Sequence, residues 1–294
     1  MSRKSFIGVD IGTSLIKMAE VQKNDSGLEV VSLRKSPTPA AEDDALVSAL
    51  KEVVPPGTRD VITCVSDGDV VSRIVQFPQL NKKELEAAVS YEMERLLPSS
   101  EKMLIRYVPL DMVQPGGSQE LLLLAVQEDI VYRCYKMFSR AGLSLAAIDL
   151  SAFALWRLFA RDTCDNRVII DLGAKFTTIL IVSNGIIRFI RTLSAGGDLL
   201  QCTSSCMFED FDALNGIASE IHRSLVYYSN QENAPVEKAI LTGGACRLEG
   251  LLDYLQDVIE VPAELGRPVI PELRQKEIDG TFAVAVGLAL REVI

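Results

Sequence analysis

A chain of 294 residues with 48% hydrophobic and 24% charged side chains has enough apolar material for two packed lobes and too much for a disordered segment. Its net charge of −10, without any Lys/Arg run, argues against a nucleic-acid backbone as main partner, because that contact needs a clustered basic face. Apolar stretches such as "ELLLLAVQEDIV" from Glu120 are cut by charge well short of the roughly 20 residues that span a bilayer, and "MSRKSFIGVDIG" has no signal-peptide core, so a soluble, cytoplasmic chain is expected.

In chain order, Phe6–Asp10 reads as a strand, "SLIKMAEVQK" alternates as a second up to the turn at Asn24–Gly27, and "LEVVSLRKS" makes a third. "EDDALVSALKEVV" has acidic residues in its first turn and helical apolar spacing that ends at Pro55 and Pro56. "DVITCVS" and "VVSRIVQF" follow as strands around "DGD", a hairpin-like turn.

From Val70 to Leu150 the expected order is strand, helix ("KKELEAAVSYEMERLL"), strand, strand, helix ("EDIVYRCYKMFSRAG") and strand. That βαββαβ series is the pattern of a ferredoxin-like split module inserted in the first lobe. The first three-strands-then-helix order then repeats: "RVIIDLG", "FTTILIVSNG" and "IIRFIRTL" with a turn at Asn184-Gly185, then the helix "FDALNGIASEIHRSLVYYSNQ". "KAILTGG" is a buried strand entering a glycine turn, "LEGLLDYLQDVI" an amphipathic helix, and "GTFAVAVGLALREVI" a small-residue helix packed closely through Ala283 and Gly287.

Cys64, Cys134, Cys164, Cys202, Cys206 and Cys246 are scattered without zinc-type spacing and are expected as reduced core thiols. Cys202 and Cys206 with the sole histidine, His222, make a poor metal set, and a helix-surface or helix-packing role is expected of His222.

The chemistry is carried by a device used twice, strand–Asp–x–Gly, at "GVDIGTSLIKMA" and "IIDLGAKFTTIL". Two such turns facing each other across a cleft let glycine backbone approach a phosphate chain while amides and hydroxyls of Gly12, Thr13, Ser14, Gly173, Lys175 and Thr177 donate to its oxygens. Asp10 and Asp171 would flank a divalent cation, and Lys17 would reach the phosphates as a point charge. In "ILTGGACRLEGL", Gly243-Gly244 would let a ribose or flat heterocycle lie on bare backbone, with Arg247 free to stack or hydrogen-bond.

In this order the three motifs resemble those of the actin, Hsp70 and hexokinase superfamily: "FIGVDIGTSLIK" its first phosphate loop, "VIIDLGAKFTTI" its second and "KAILTGGACRLEGL" its adenosine motif. "AIDLSAFALWRLFA" and "GTFAVAVGLALRE" resemble its two connecting helices. The resemblance implies an actin-like, ribonuclease H-like duplicated two-lobed ATPase fold of the α/β class, with an inserted ferredoxin-like or SHS2-type subdomain. The implied division is 1–69 with 150–165 as first-lobe core, 70–149 as inserted subdomain and 166–294 as second lobe.

Within the superfamily, "SYEMERLLPSSEKMLIRYVPLD", "LLLLAVQEDIVYRCYKMFSRAGLSLAAIDLSAFALWRLF" and "IRTLSAGGDLL" resemble the PilM family of type IV pilus assembly. That resemblance implies ATP and Mg2+ in the cleft, and capture of the N-terminal cytoplasmic peptide of a PilN-like bitopic inner-membrane protein. It also implies contact with other pilus assembly components, with recruitment to the membrane through partners alone.

Three features depart from the superfamily pattern. Gly197–Ala239 is short for an upper subdomain, Ser151-Ala152 stands where a Glu-Pro pair often begins the first connecting helix, and the second loop has one glycine before Ala174-Lys175. Asp149 is then the candidate to replace the missing water-positioning carboxylate beside the catalytic candidate Asp171, and hydrolysis is expected to be weak or absent.

Rival readings are a small-molecule kinase, for which neither general base nor polar substrate loops stand out, and an FtsA-like scaffold, whose C-terminal membrane anchor has no counterpart before Ile294. Others are a type II secretion platform domain and a nucleotide-free adaptor whose cleft is filled by Lys175 and Phe176. In the insertion, a sheet edge or groove walled by Tyr91–Pro98 suits an extended peptide.

Overall fold

The computed structural model describes residues 4–25, 27–40, 43–97, 102–110, 117–199, 211–275 and 278–293. The first half contains β1 (Lys4–Ile11), β2 (Leu15–Asn24), β3 (Gly27–Pro37), α1 (Asp43–Val53), β4 (Val61–Val65), β5 (Val70–Pro78), α2 (Lys82–Leu96), β6 (Met103–Pro109), β7 (Ser118–Gln127), α3 (Glu128–Arg140), β8 (Leu145–Leu150) and α4 (Ser151–Phe159). The second contains β9 (Asn166–Leu172), β10 (Thr177–Ser183), β11 (Ile186–Leu193), α5 (Phe211–Glu232), β12 (Lys238–Thr242), α6 (Leu251–Ile259), β13 (Ala263–Leu265) and α7 (Ala283–Ala289).

Two five-stranded sheets carry the duplication. Their orders, β3-β2-β1-β4-β8 and β11-β10-β9-β12-β13, correspond strand for strand, with three antiparallel strands followed by two parallel ones. Central strands buried on both faces need continuous apolar runs, and Phe6–Val9 and Val168–Ile170 supply them. The β10–β11 hairpin turns through Asn184 and Gly185, both at positive φ, as a two-residue turn between right-twisted strands requires. On the outer face of the second sheet, α5 buries Leu214, Ile217, Ala218, Ile221, Leu225 and Tyr228, one helical stripe.

α4 and α7 cross between the two sheets inside the largest core. A Cβ on Gly287 would overlap the backbone of Ala154, and one on Gly8 would fall 2.6 Å from the Ala289 nitrogen. Glycine at these two positions therefore sets how closely α7 approaches both α4 and β1.

The inserted sheet has three antiparallel strands, β5-β7-β6. Leu121, Leu123 and Ala125 of β7 face Leu85, Val89 and Met93 of α2, while Leu122 and Leu124 on the opposite face belong to the main core. Asn81 and Glu84 form a capping box that fixes where α2 begins.

The structure departs from the sequence expectation in three places. "DGD" is not a hairpin turn: the chain changes sheets there, because β4 pairs with β1 and β8 while β5 pairs with β7. β8 completes the first-lobe sheet beside β4 instead of a fourth strand of the insertion. α3 buries Cys134 and Phe138 against the α1 cluster, so the inserted unit itself is βαββ.

Between β11 and β12 the described residues form only the turn Gly197–Leu199 and α5. Cys64, Cys134, Cys164 and Cys246 are free thiols, while Cys202, Cys206 and Pro98 lie outside the described residues.

Candidate nucleotide cleft

The first turn is fixed by strand register. Asp10, at the end of β1, faces Lys17 of β2, and the Lys17 Nζ lies 2.5 Å from Oδ2 of Asp10, both side chains largely buried. The Gly12 N–H donates to the Leu15 carbonyl at 3.0 Å. Thr38 braces the turn, its hydroxyl donating to the Gly12 carbonyl at 2.7 Å and its N–H to that of Ser14 at 2.9 Å. Thr13 and Ser14 themselves are exposed. Burial works to lower the Lys17 pKa, but Asp10, with Asp171 adding to it, holds the ammonium above its ordinary value.

Asp171 ends β9, paired with Thr178 of β10 on one side and Thr242 of β12 on the other. Burial pushes its carboxyl up to about 7; Lys17 pulls it down, and Asp10 and Asp67 push it further up. Asp10, Lys17 and Asp171, contributed by both lobes, thus form one electrostatic unit.

The second turn is closed by its own backbone. The Gly173 N–H donates to the Phe176 carbonyl at 3.0 Å, while the carbonyls of Gly173 and Ala174 accept from the N–H groups of Gly197 and Asp198 at 2.8 and 2.7 Å. Thr177 is buried with its hydroxyl donated to the Ala195 carbonyl at 2.7 Å, so it braces the turn from inside. Lys175 and Phe176 are exposed.

In the third turn Gly243 has φ +94°, and a Cβ there would fall 2.6 Å from Oδ1 of Asp171. Packing alone demands that glycine. Gly244 differs: the nearest atom to its would-be Cβ is the Thr281 hydroxyl at 3.9 Å. The bare backbone at Gly244 is the surface a ligand can approach. Arg247 is ion-paired to Asp279, which also accepts the Thr281 N–H at 3.0 Å. It is thereby oriented at the rim instead of free.

Two further carboxylates change the expected roles. Asp149 is buried between two arginines, with Arg157 Nη2 at 2.8 Å and Arg291 Nη1 at 3.2 Å from Oδ2, and its Oδ1 accepts the Leu150 N–H at 2.9 Å. It ties β8 to α4 and to the end of α7, and is not available to position a water.

Asp67, unnoticed in the sequence, is the carboxylate that sits at the start of α4. Its Oδ2 accepts from the Ser151 hydroxyl at 2.6 Å and from the Thr178 hydroxyl of the second lobe at 3.4 Å, and its Oδ1 from the Ala152 N–H at 3.1 Å. Burial lifts its pKa to about 6 against these hydrogen bonds. The only signal in the sequence was an acidic turn, "SDGD", between two strands.

Among the described residues no three His, Cys, Asp or Glu side chains converge as a ready-made metal cage. Asp10 and Asp171 suit a hard divalent ion that keeps most of its ligands as water or phosphate.

The solved structure of a PilM-PilN type IV pilus biogenesis complex is 26% identical, with full coverage of both chains and a TM-score of 0.84. The cytoplasmic domain of EpsL, an inner membrane component of the type II secretion system of Vibrio cholerae, matches at 10% identity over 98% of this chain and 95% of its own, with a TM-score of 0.56. The ethanolamine utilization protein EutJ from Carboxydothermus hydrogenoformans matches at 13% identity over 99% and 90%, with a TM-score of 0.54. These last two share the fold alone. The family model described as type IV pilus assembly protein PilM matches residues 8–214. With that match over most of its length, the chain belongs to the PilM family of actin-like type IV pilus assembly proteins.

Proposed function

We propose that the cleft binds ATP with Mg2+, and that the protein captures the N-terminal cytoplasmic peptide of a PilN-like inner-membrane protein as an assembly factor of the pilus platform. The observation that carries the reading is the convergence of Asp10, Lys17 and Asp171 from two duplicated turns, next to the open backbone at Gly244.

Lys17 would meet the phosphates as a point charge, with Gly12, Thr13, Ser14 and Gly173 donating from the turns. Asp10 and Asp171 would hold the hydrated cation, which supplies charge neutralisation for the phosphate chain. Gly243, Gly244 and Arg247 would border the nucleoside, Lys175 would reach in from the second turn, and Thr177 would support that turn from behind. Hydrolysis is slow or absent, because Asp149 is held by two arginines and Asp67 is engaged in capping α4.

The partner reading is supported by the 26% identity to the PilM of a PilM-PilN complex. No helix among the described residues is long and apolar enough to cross a membrane, so recruitment to the inner face of the inner membrane would run through the partner. The inserted subdomain is the proposed peptide site. Its sheet ends in the edge strands β5 and β6, and Tyr91 stands 66% exposed on α2.

Calorimetric titration with ATP and Mg2+, with and without the N-terminal peptide of the PilN-like neighbour, tests the reading. ATP binding abolished by Asp10→Ala and Lys17→Ala supports the cleft. Peptide binding without ATP binding would make the protein a nucleotide-free adaptor.

A further inference from the structure

We propose that a second anion site, separate from the phosphate turns, lies in the cavity between the end of α4 and the β12–β13 edge of the second lobe, and that it takes a small molecule carrying a chain of phosphates. The cavity measures about 1470 Å³, and Arg157, Arg161, Arg167, Lys238, Arg267 and Arg274 line it. In a chain of net charge −10, these six cations and a seventh, Arg247, which is paired with Asp279, on one concave surface are not a product of composition.

Four of the first six have carboxylate partners. Lys238 pairs with Glu264 at 2.8 Å, Arg167 Nε with Asp165 at 2.6 Å, Arg157 with Asp149 at 2.8 Å, and Arg161 more distantly with Asp162 at 3.6 Å. Arg274 spends Nε and Nη2 on the carbonyls of Pro268 and Val269, at 2.8 and 3.1 Å, which fixes its plane without neutralising its charge. Arg267 is exposed and has no carboxylate partner among the described residues. Arg157 is only 9% exposed, and its Nη1 has no hydrogen-bond partner among the described residues. Excess positive charge and arginines already held in place together describe a receptor for a multiply charged anion.

Strand register separates this site from the proposed ATP phosphates. In the β9–β12 pair, Arg167 stands opposite Lys238 at one end and Asp171 opposite Thr242 at the other. Four residues of strand put roughly 13 Å between them. Arg247, Asp279 and Gly280 close the upper end of the cavity, where Arg267 follows the Leu241–Leu265 pair, so the cavity runs from the glycine turn down to the charges of Arg167 and Lys238 at its far end. The volume exceeds the usual small-ligand range of roughly 300–1,000 Å³, so a single phosphate would leave it largely unfilled.

The test titrates inorganic tripolyphosphate into the Lys17→Ala variant, whose cleft is disabled, with hydrogen exchange followed at residues 263–275. Binding with protection of that segment is expected, along with at least a tenfold loss of affinity in an Arg161→Ala/Arg267→Ala variant of unchanged circular dichroism. No binding to Lys17→Ala, or binding indifferent to the two arginines, overturns the proposal. If Lys17→Ala does not fold, the same segment is compared between the unmodified protein and Arg161→Ala/Arg267→Ala, and absence of a difference overturns it equally. The ATP reading fails separately, through ATP titrations that Lys17→Ala leaves unchanged. A nucleoside diphosphate titrated in parallel distinguishes a bare phosphate chain from one carried on a nucleoside: tighter binding of either supports the site and assigns the source.

Discussion

Asp171 and Asp67 are buried acids whose pKa values of about 7 and about 6 lie above the ordinary value of 3.8. A raised folded-state value means that stability is fullest below the unfolded pKa and is lost as pH rises through the folded one. From pH 4 to pH 8 the Asp67→Asn variant should therefore gain about 2.5 kcal/mol relative to the parent, a difference that denaturant melts at several pH values would register. Cation-assisted nucleotide binding requires Asp171 ionised. Affinity should climb about tenfold between pH 6 and pH 8, with uptake of a proton by buffer seen as a buffer-dependent calorimetric heat. The two Asp-x-Gly turns were legible because a strand pattern ending in Asp, one aliphatic residue and Gly is a local signal. Asp67 was not, since its meaning comes from Ser151 and Thr178, 84 and 111 positions away. Asp149 misled for the same reason, because the arginines that occupy it come from two other elements.

At the level of elements, the contact between α4 and α7 is the most sensitive. Gly287→Ala should cost about 3 kcal/mol or more, because the added methyl meets the Ala154 backbone, which cannot yield as a flexible side chain would. Gly216→Ala on the exposed face of α5, where nothing lies within 4 Å, should instead stabilise by about 1 kcal/mol. Paired thermal melts of the two variants distinguish a glycine demanded by packing from one that is merely tolerated. The order of these elements was readable from periodicity and turn residues. Their partnership was not: a βαββαβ series is compatible with one four-stranded module or with a three-stranded unit plus α3 and β8 given to the neighbouring lobe. The apolar run of β8, LAAIDL, says only that the strand is packed, and the sheet it joins is decided by pairing with β4.

Across the whole molecule, the inserted unit touches the second lobe through an ion pair between Glu120 of β7 and Arg188 of β11, each about four-fifths buried. If nucleotide favours a closed arrangement of the lobes, this contact is a route by which closure reaches the peptide site, and it can act only as far as ATP prefers the closed state. A double-mutant cycle on Glu120→Gln and Arg188→Gln should give a coupling of about 1 kcal/mol in stability. Either single change should also reduce an ATP-dependent shift in peptide affinity of about tenfold toward none, measured by fluorescence anisotropy of the labelled peptide.

Because β7 packs on α2 through Leu121, Leu123 and Ala125 and on the central core through Leu122 and Leu124, it cannot be removed without opening two hydrophobic interfaces. A truncated chain lacking the insertion would not be a simpler ancestor-like protein but an aggregating one. Any evolutionary route that gained or lost this unit must have repacked the core in the same steps, which makes the unit a fixed part of the body and not a detachable adaptor.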